Sequence, residues 1–222
     1  MLQSLKSILR VAKKRYLLFR RKPYFKILRK EYDSSTSFIA NNCFGGRIPQ
    51  DLGFKYNSPT EGLFIPYPDY IRFLSDLKSN TMGGVKLKKS SKYENINEYL
   101  KSLSFHVPIG EVGSPGKEVE IIFLHFHSDE EAIQKWKRRC ARNNFDKLMV
   151  FGSDNDGATE ADAKQFLSLP YKNKFFFSAH HWNIPDSDEY CFIPEMECDG
   201  RVNGYEKAHI AYKYLCERKI NR

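Results

Sequence analysis

The sequence predicts a doubly wound α/β fold with a mostly parallel sheet, preceded by a basic amphipathic N-terminal helix. Three observations predict it. From residue 34 onward short apolar runs alternate with helical patterns, the order expected of strands joined by helical crossovers. The run V-E-I-I-F-L-H-F-H at 119–127 is apolar at nearly every position, which fits a strand covered on both faces, hence an interior parallel one. Before residue 34, apolar residues recur at helical spacing among many basic ones. The expected organisation is therefore an arm at 1–33 and a single α/β domain at 34–222.

The arm carries most of the charge. Residues 1–30 hold eleven Lys or Arg and no acid, so the net +9 of the 222-residue chain leaves residues 31–222 at −2. The body has no general attraction for polyanions, and no specific nucleic acid is expected as a partner. Leu2, Leu5, Ile8, Leu9, Ala12, Tyr16 and Phe19 recur at intervals of three and four, gathering on one helical face with basic residues on the flanks and back. Pro23 limits that helix. No run of roughly 20 apolar residues is present to span a bilayer, and the arm lacks the apolar segment and small-residue cleavage site of an export signal. The expected partner of residues 1–30 is an anionic membrane surface. A helix that docks on the body, or one that mediates self-association, is the alternative, and an RNA-binding arm is a third reading.

In the body, Ser37 to Asn42 is an expected strand and Gly45 to Leu52 a turn entering a short helix. Gly62 to Ile65 is a second strand, Pro68 to Leu77 a helix, and residues 79–92 an exposed basic loop or lid. Asn95 to Leu103 is an expected helix, Phe105 to Ile109 a strand, and Glu111 to Lys117 a turn. After the run ending at His127, Ser128 and Glu131 form a capping box. The helix it opens should bury Ala132, Ile133, Trp136 and Cys140. Lys147 to Gly152 and Lys174 to Ala179 are further buried strands, separated by a helix capped by Thr159. Tyr190 to Ile193 is a last short strand and Tyr205 to Glu217 a terminal helix.

Ligands of such folds bind beyond the carboxyl ends of the strands. Those ends are Asn41, Asn42 and Cys43; His125 and His127; Asp154 and Asp156; and Ser178, His180 and His181. His125 and His127, two apart on a strand, would face the same side, where an imidazole can act as a general base; a core histidine is the alternative for His125. Cys43, followed by Gly45 and Gly46, is a candidate nucleophile if a helix start favours its thiolate, and otherwise a small residue at a turn. Asp154 and Asp156 form a D-x-D that could hold Mg²⁺ or Mn²⁺ against a diphosphate, although Asp and Asn also favour turns for local reasons. Lys135, Arg138, Arg139 and Arg142 should lie along one helix side, as an anion site or a solvated face. The five cysteines, Cys43, Cys140, Cys191, Cys198 and Cys216, include no C-x-x-C pair, and are expected to be reduced thiols without structural zinc.

The run N-N-C-F-G-G-R-I-P-Q-D-L-G-F-K-Y-N-S-P-T-E-G-L-F-I at 41–65 resembles the signature of a bacterial family of unknown function often labelled exopolysaccharide biosynthesis protein. The likeness continues in P-D-Y-I-R-F-L at 68–74, F-L-H-F-H-S-D-E-E-A-I-Q-K-W-K-R-R at 123–139, D-N-D-G-A-T-E at 154–160 and F-L-S-L-P-Y-K-N-K at 166–174. It covers roughly residues 35–215 and leaves the arm outside. The resemblance implies a cytoplasmic protein working beside lipid-linked sugars at the inner membrane, without implying a particular reaction. The positions it marks as the site are Asn41, Asn42, Cys43, Gly45 and Gly46; Tyr56, Asn57, Ser58, Pro59 and Thr60; and His125, Trp136, Arg138 and Arg139. The resulting expectation is a transferase that modifies or extends a lipid-linked saccharide by glycosyl, acyl or phosphoryl transfer. A non-catalytic carbohydrate-binding or scaffolding protein is the alternative.

Overall fold

The computed structural model describes residues 2–198, 201–202, 204 and 206–220, with side chains for all of these except 2–6, 198, 201–202 and 218–220. Helices α1 (Leu2–Arg21) and α2 (Phe25–Glu31) precede strand β1 (Ser37–Ala40), a 3-10 turn at Cys43–Gly46, and α3 (Arg47–Leu52). Next come α4 (Tyr67–Ser75), α5 (Leu77–Met82), β2 (Lys86–Lys88), α6 (Glu94–Lys101), β3 (Ile109–Val112) and β4 (Val119–Ile122). Then follow α7 (Asp129–Cys140), β5 (Leu148–Ser153), α8 (Glu160–Ser168), β6 (Lys174–Ser178), β7 (Tyr190–Phe192), β8 (Glu197–Cys198), β9 (Arg201–Val202) and α9 (Ala208–Ile220). Among the described residues, no helix is long and apolar enough to cross a membrane.

The main sheet is wholly parallel, in the order β1-β5-β6-β7, with Ser37 opposite Leu148, Val150 opposite Lys174 and Phe176 opposite Tyr190. Because side chains alternate along a strand, Phe38, Ala40, Met149, Phe151, Phe175 and Phe177 face one side and pack on Leu28 of α2, Ile48 and Leu52 of α3, and Ala211, Tyr212 and Leu215 of α9. Ile39, Val150, Phe176 and Tyr190 face the other and pack on Tyr67, Tyr70 and Phe73 of α4 and on Ala163 and Phe166 of α8. Helices cover both faces, as the apolar runs require. Each fully buried Phe contributes about 1.5–3 kcal/mol relative to exposure. β1 is an edge strand, and its outer edge is closed: Ala40 N–H donates to Thr60 Oγ1 at 3.2 Å and Ile65 N–H to the Asn41 carbonyl at 2.9 Å.

The run at 119–127 differs from expectation in two respects. Only Val119–Ile122 is strand, and it pairs antiparallel with β3 in a separate sheet ordered β2-β3-β4. Its residues are buried on both faces, as expected. The turn before it, with Gly113 at φ 106° and Gly116 at φ 81°, closes a β3–β4 hairpin, and a hairpin makes its strands antiparallel. Beyond Ile122 the chain folds back, with Phe123 N–H donating to the Pro108 carbonyl and His125 N–H to that of Gly62. Phe123 and Phe126 nevertheless remain core residues, their rings 5.2 Å apart edge to face.

The other differences are local. Residues 79–92 contain the end of α5 and edge strand β2, whose Lys86 and Lys88 pair with Glu111 across the ladder at 3.4 and 3.1 Å. The strand placed at Phe105–Ile109 lies instead at Ile109–Val112, with Phe105 exposed. Gly62–Ile65 makes a single antiparallel bridge, Phe64 with Ile122, and so links the two sheets. Ser128 caps α7 by accepting from Glu131 N–H; the Glu131 carboxylate reaches back to His127 N–H, one residue beyond the box position. Ala132 and Trp136 are buried on that helix, whereas Ile133 is exposed. Thr159 and Asp162 complete a capping box on α8. Tyr205, the expected start of the last helix, lies outside the described residues. Cys43, Cys140, Cys191 and Cys216 are free thiols, and the Cys198 side chain lies outside the described ones.

Candidate functional site

A cleft of about 800 Å³ opens at the carboxyl ends of β1, β5 and β6, between the main sheet and the segment that carries α6. β1 delivers its end residues to the wall by a compact device. Asn42 caps the following 3-10 turn, its Oδ1 accepting from Phe44 N–H at 3.0 Å, while its Nδ2 donates to Asp156 Oδ2 at 2.9 Å. Phe44 is wedged edge-on against Phe151 and Phe177, at 5.0 and 5.3 Å. A Cβ on Gly45 would lie 2.8 Å from the Ala40 Cβ, so glycine there lets the turn fold onto its own strand. With Phe44 turned into the core, Cys43 faces the cleft.

The Cys43 Sγ lies 3.1 Å from His125 Nε2. His125 approaches from the fold-back after β4, held there by its own N–H to the Gly62 carbonyl at 3.2 Å. Burial pushes the Cys43 thiol above its ordinary value, the Asp156 carboxylate adds to this, and Arg47 opposes it. The raised value favours the protonated thiol, and in the tautomer that leaves Nε2 free His125 is placed to take its proton when a substrate arrives. This pair joins two of the three expected catalytic residues. His127 is separate: it is exposed on the approach to α7, and its N–H donates to Glu131 at 2.7 Å.

Asp154 and Asp156 are both occupied. Asp154 Oδ2 accepts from Ser178 Oγ–H at 2.9 Å, from the N–H groups of Ala179 and His180 at 2.6 and 3.0 Å, and from His180 Nδ1 at 2.8 Å. That carboxylate ties the end of β6 to the end of β5. Asp156 sits at φ 61° before Gly157 at φ 81°, a tight left-handed turn, and orients Asn42. Among the described residues no group of three or more His, Cys, Asp or Glu is arranged to hold a metal ion.

The remaining candidates do not line the cleft. Asn57 reaches the Ser34 carbonyl, Ser58 and Thr60 share a hydrogen bond of 2.9 Å, and Thr60 caps the free edge of β1. Trp136 fills the core between Phe73 and Phe123. Arg139 is buried, lies 5.5 Å from the Tyr56 ring and 5.4 Å from that of Phe126, and donates to the Glu61 carbonyl. Arg138 is exposed. Gly46 packs beside the stem of Glu61, and Asn41 is buried behind the wall. The opposite wall carries aromatic residues that the sequence did not single out: Phe64, Tyr67, Tyr93 and Tyr99. Tyr93 directly follows the 79–92 segment read as a lid, and Tyr99 sits on α6. No spacing rule links them to Cys43, and only the packing of the second sheet brings them opposite it.

Sequence reasoning also missed Glu61. Its carboxylate is buried with neither oxygen hydrogen-bonded, and burial raises its pKa to about 8 against the partial opposition of Arg139 and Arg142. The folded state therefore holds a proton there that the unfolded chain releases near its ordinary value of 4.5. The resulting stability is complete below that value and is lost as pH rises toward 8. Between about pH 5.5 and 7.5 the protein is expected to lose about 3 kcal/mol of stability from this group. Urea denaturation of the parent and Glu61→Gln at both pH values checks this: the slope should largely disappear in the variant.

A family model described as "Domain of unknown function (DUF1919)" matches residues 15–219. The chain belongs to this family. The match begins within α1, so the second half of the arm is part of the family's unit, beyond the 35–215 span of the sequence likeness. The chain is also similar to a protein of Haemophilus influenzae described as "Uncharacterized protein", 31% identical over 180 residues, covering 78% of this chain and 75% of that relative. Cys43, His125, Asn42 and Asp156 all fall within the family match.

Proposed function

We propose that the protein is a group-transfer enzyme that carries an acyl group on Cys43 and delivers it to a saccharide hydroxyl in surface-polysaccharide biosynthesis. The observation that carries this reading is the 3.1 Å contact between Cys43 Sγ, which lines the cleft, and Nε2 of the exposed His125 beside it. His125 takes the thiol proton, and the thiolate attacks the acyl carbon of an activated donor such as a thioester. The C–S bond of a new thioester forms, the bond to the donor's leaving group breaks, and His125 returns the proton to that group. In the second half the acceptor hydroxyl attacks the Cys43 thioester, gives its proton to His125, and the thiol is restored. Aromatic walls with a few fixed polar groups, here Asn42 and Asp156, suit a sugar ring. The polysaccharide setting rests on the likeness of residues 41–65 to a family carrying that label. Metal-dependent glycosyl transfer has less support, because Asp154 spends Oδ2 on Ser178, Ala179 and His180.

The test is intact-mass spectrometry of the purified protein after exposure to a panel of acyl thioesters. A single acyl mass increment on Cys43, absent from Cys43→Ala and chased away by an acceptor saccharide, is the expected result. Full turnover by Cys43→Ser would overturn the covalent route. Saccharide binding without any adduct would favour a non-catalytic carbohydrate-binding protein, a reading that the protonated resting state of Cys43 also suits.

A further inference from the structure

The apolar stripe of α1 faces away from the body. Ile8 and Leu9 are each 60% exposed, Tyr16 58% and Phe19 73%, with Ala12 between them also exposed. The helix docks by a different face: Leu17 and Leu18 are half-buried, and Arg21 is buried against Asp51 at 2.6 Å. Lys13 holds Glu206 at 2.5 Å, just ahead of α9. At 3.6 residues per turn the mean direction of Ile8, Leu9, Ala12, Tyr16 and Phe19 lies about 180° around the helix from that of Leu17, Leu18 and Arg21. Docking on the body therefore does not explain the stripe, and an exposed apolar face of this kind marks an interaction surface.

We infer that α1 is a docking helix for an anionic lipid bilayer, lying in the interface with Ile8, Leu9, Ala12, Tyr16 and Phe19 toward the acyl chains. Charge selects this occupant. Arg15 and Arg20 border the stripe and are exposed, Lys22 and Lys26 are exposed just beyond the helix, and no acid occurs before Glu31. An apolar face flanked by cations is the combination that holds a helix on anionic headgroups, each basic residue near the surface adding to the attraction. A second copy pairing through the same face would bring together two segments with eleven positive charges each. Nucleic acid would engage the cations and leave the apolar stripe in water.

The test is flotation of the full chain with vesicles of phosphatidylcholine alone, or of phosphatidylcholine with phosphatidylglycerol. Salt-sensitive flotation with the anionic vesicles only is expected. Arg15→Gln with Arg20→Gln should weaken it about 30-fold, and Leu9→Asp with Phe19→Asp by at least about tenfold. These side chains are exposed, so the thermal melts of the variants should match the parent. No flotation with anionic vesicles, unchanged flotation of the Leu9 and Phe19 variant, or sedimentation as a dimer that the variant dissolves would each overturn the inference. Acyl loading of Cys43 in solution should be the same in these variants, so the two proposals fail independently.

Discussion

Replacing His125 with alanine is expected to slow acyl loading of Cys43 by about 10²–10⁴-fold at neutral pH, the usual range for losing a positioned general base. The size follows from the state of the thiol. Burial and the Asp156 carboxylate keep Cys43 protonated, and Arg47 offsets only part of this. Nε2 at 3.1 Å is the hydrogen-bonding partner of the thiol, and the substitution removes it. The same loss should appear with a small alkylating agent such as iodoacetamide, which needs the thiolate but no binding site. Raising the pH should recover much of the alkylation rate in His125→Ala, since hydroxide then does the work of the imidazole. The substitution should leave the fold intact, because the side chain is exposed and the anchor to the Gly62 carbonyl is the backbone N–H. An alkylation rate in His125→Ala equal to that of the parent would remove the dyad from consideration.

Much of this site was legible because the strand-end rule does not require knowing which residues touch. Ser37–Ala40, Leu148–Ser153 and Lys174–Ser178 fold as the apolar runs predicted, and their carboxyl ends bring Cys43, Asp154 and Asp156 to one side of the sheet. His125 reached the same place for a different reason. It was assigned to the end of a parallel strand, but it arrives on a fold-back after an antiparallel one. Burial on both faces could not separate the two cases, because a hairpin covered by helices is as apolar as an interior parallel strand; the glycines at 113 and 116 were the discriminating signal.

Asn57, Ser58 and Thr60 lie away from the cleft for a common reason. A polar cluster in a compact loop can serve a ligand or the backbone of an edge strand, and here the hydroxyls and amide satisfy β1 and its approach. The aromatic wall was invisible for the converse reason. Tyr67, Tyr93 and Tyr99 lie on three different segments, and tertiary packing alone makes them neighbours.

Breaking the link between the arm and the body is expected to cost about 3–5 kcal/mol, a large part of the roughly 5–15 kcal/mol that holds a domain together. Arg21 meets Asp51 in a two-pronged contact, Nε to Oδ2 at 2.6 Å and Nη2 to Oδ1 at 3.0 Å, and Tyr212 Oη–H donates to the same Oδ2 at 2.9 Å. The two charged side chains are only 6% and 4% exposed. Arg21→Ala would remove the two-pronged guanidinium partner of the buried Asp51 carboxylate and leave the Tyr212 hydroxyl bond, and the penalty is that of a poorly compensated buried charge, not the small value of a surface pair. Burial and Asp51 hold the Tyr212 hydroxyl protonated well above the ordinary range, so it can donate but cannot neutralise. A double replacement, Arg21→Met with Asp51→Leu, removes both charges and should recover most of the loss. Urea midpoints of the parent, the single variant and the double variant separate these outcomes. The effect should also reach the site: Asp51 lies on α3, which continues directly from the Cys43–Gly46 turn, so loosening that helix loosens the base on which Cys43 is held. Arg21→Ala is accordingly expected to change the Cys43 alkylation rate as well as the urea midpoint, whereas the double variant should restore both together.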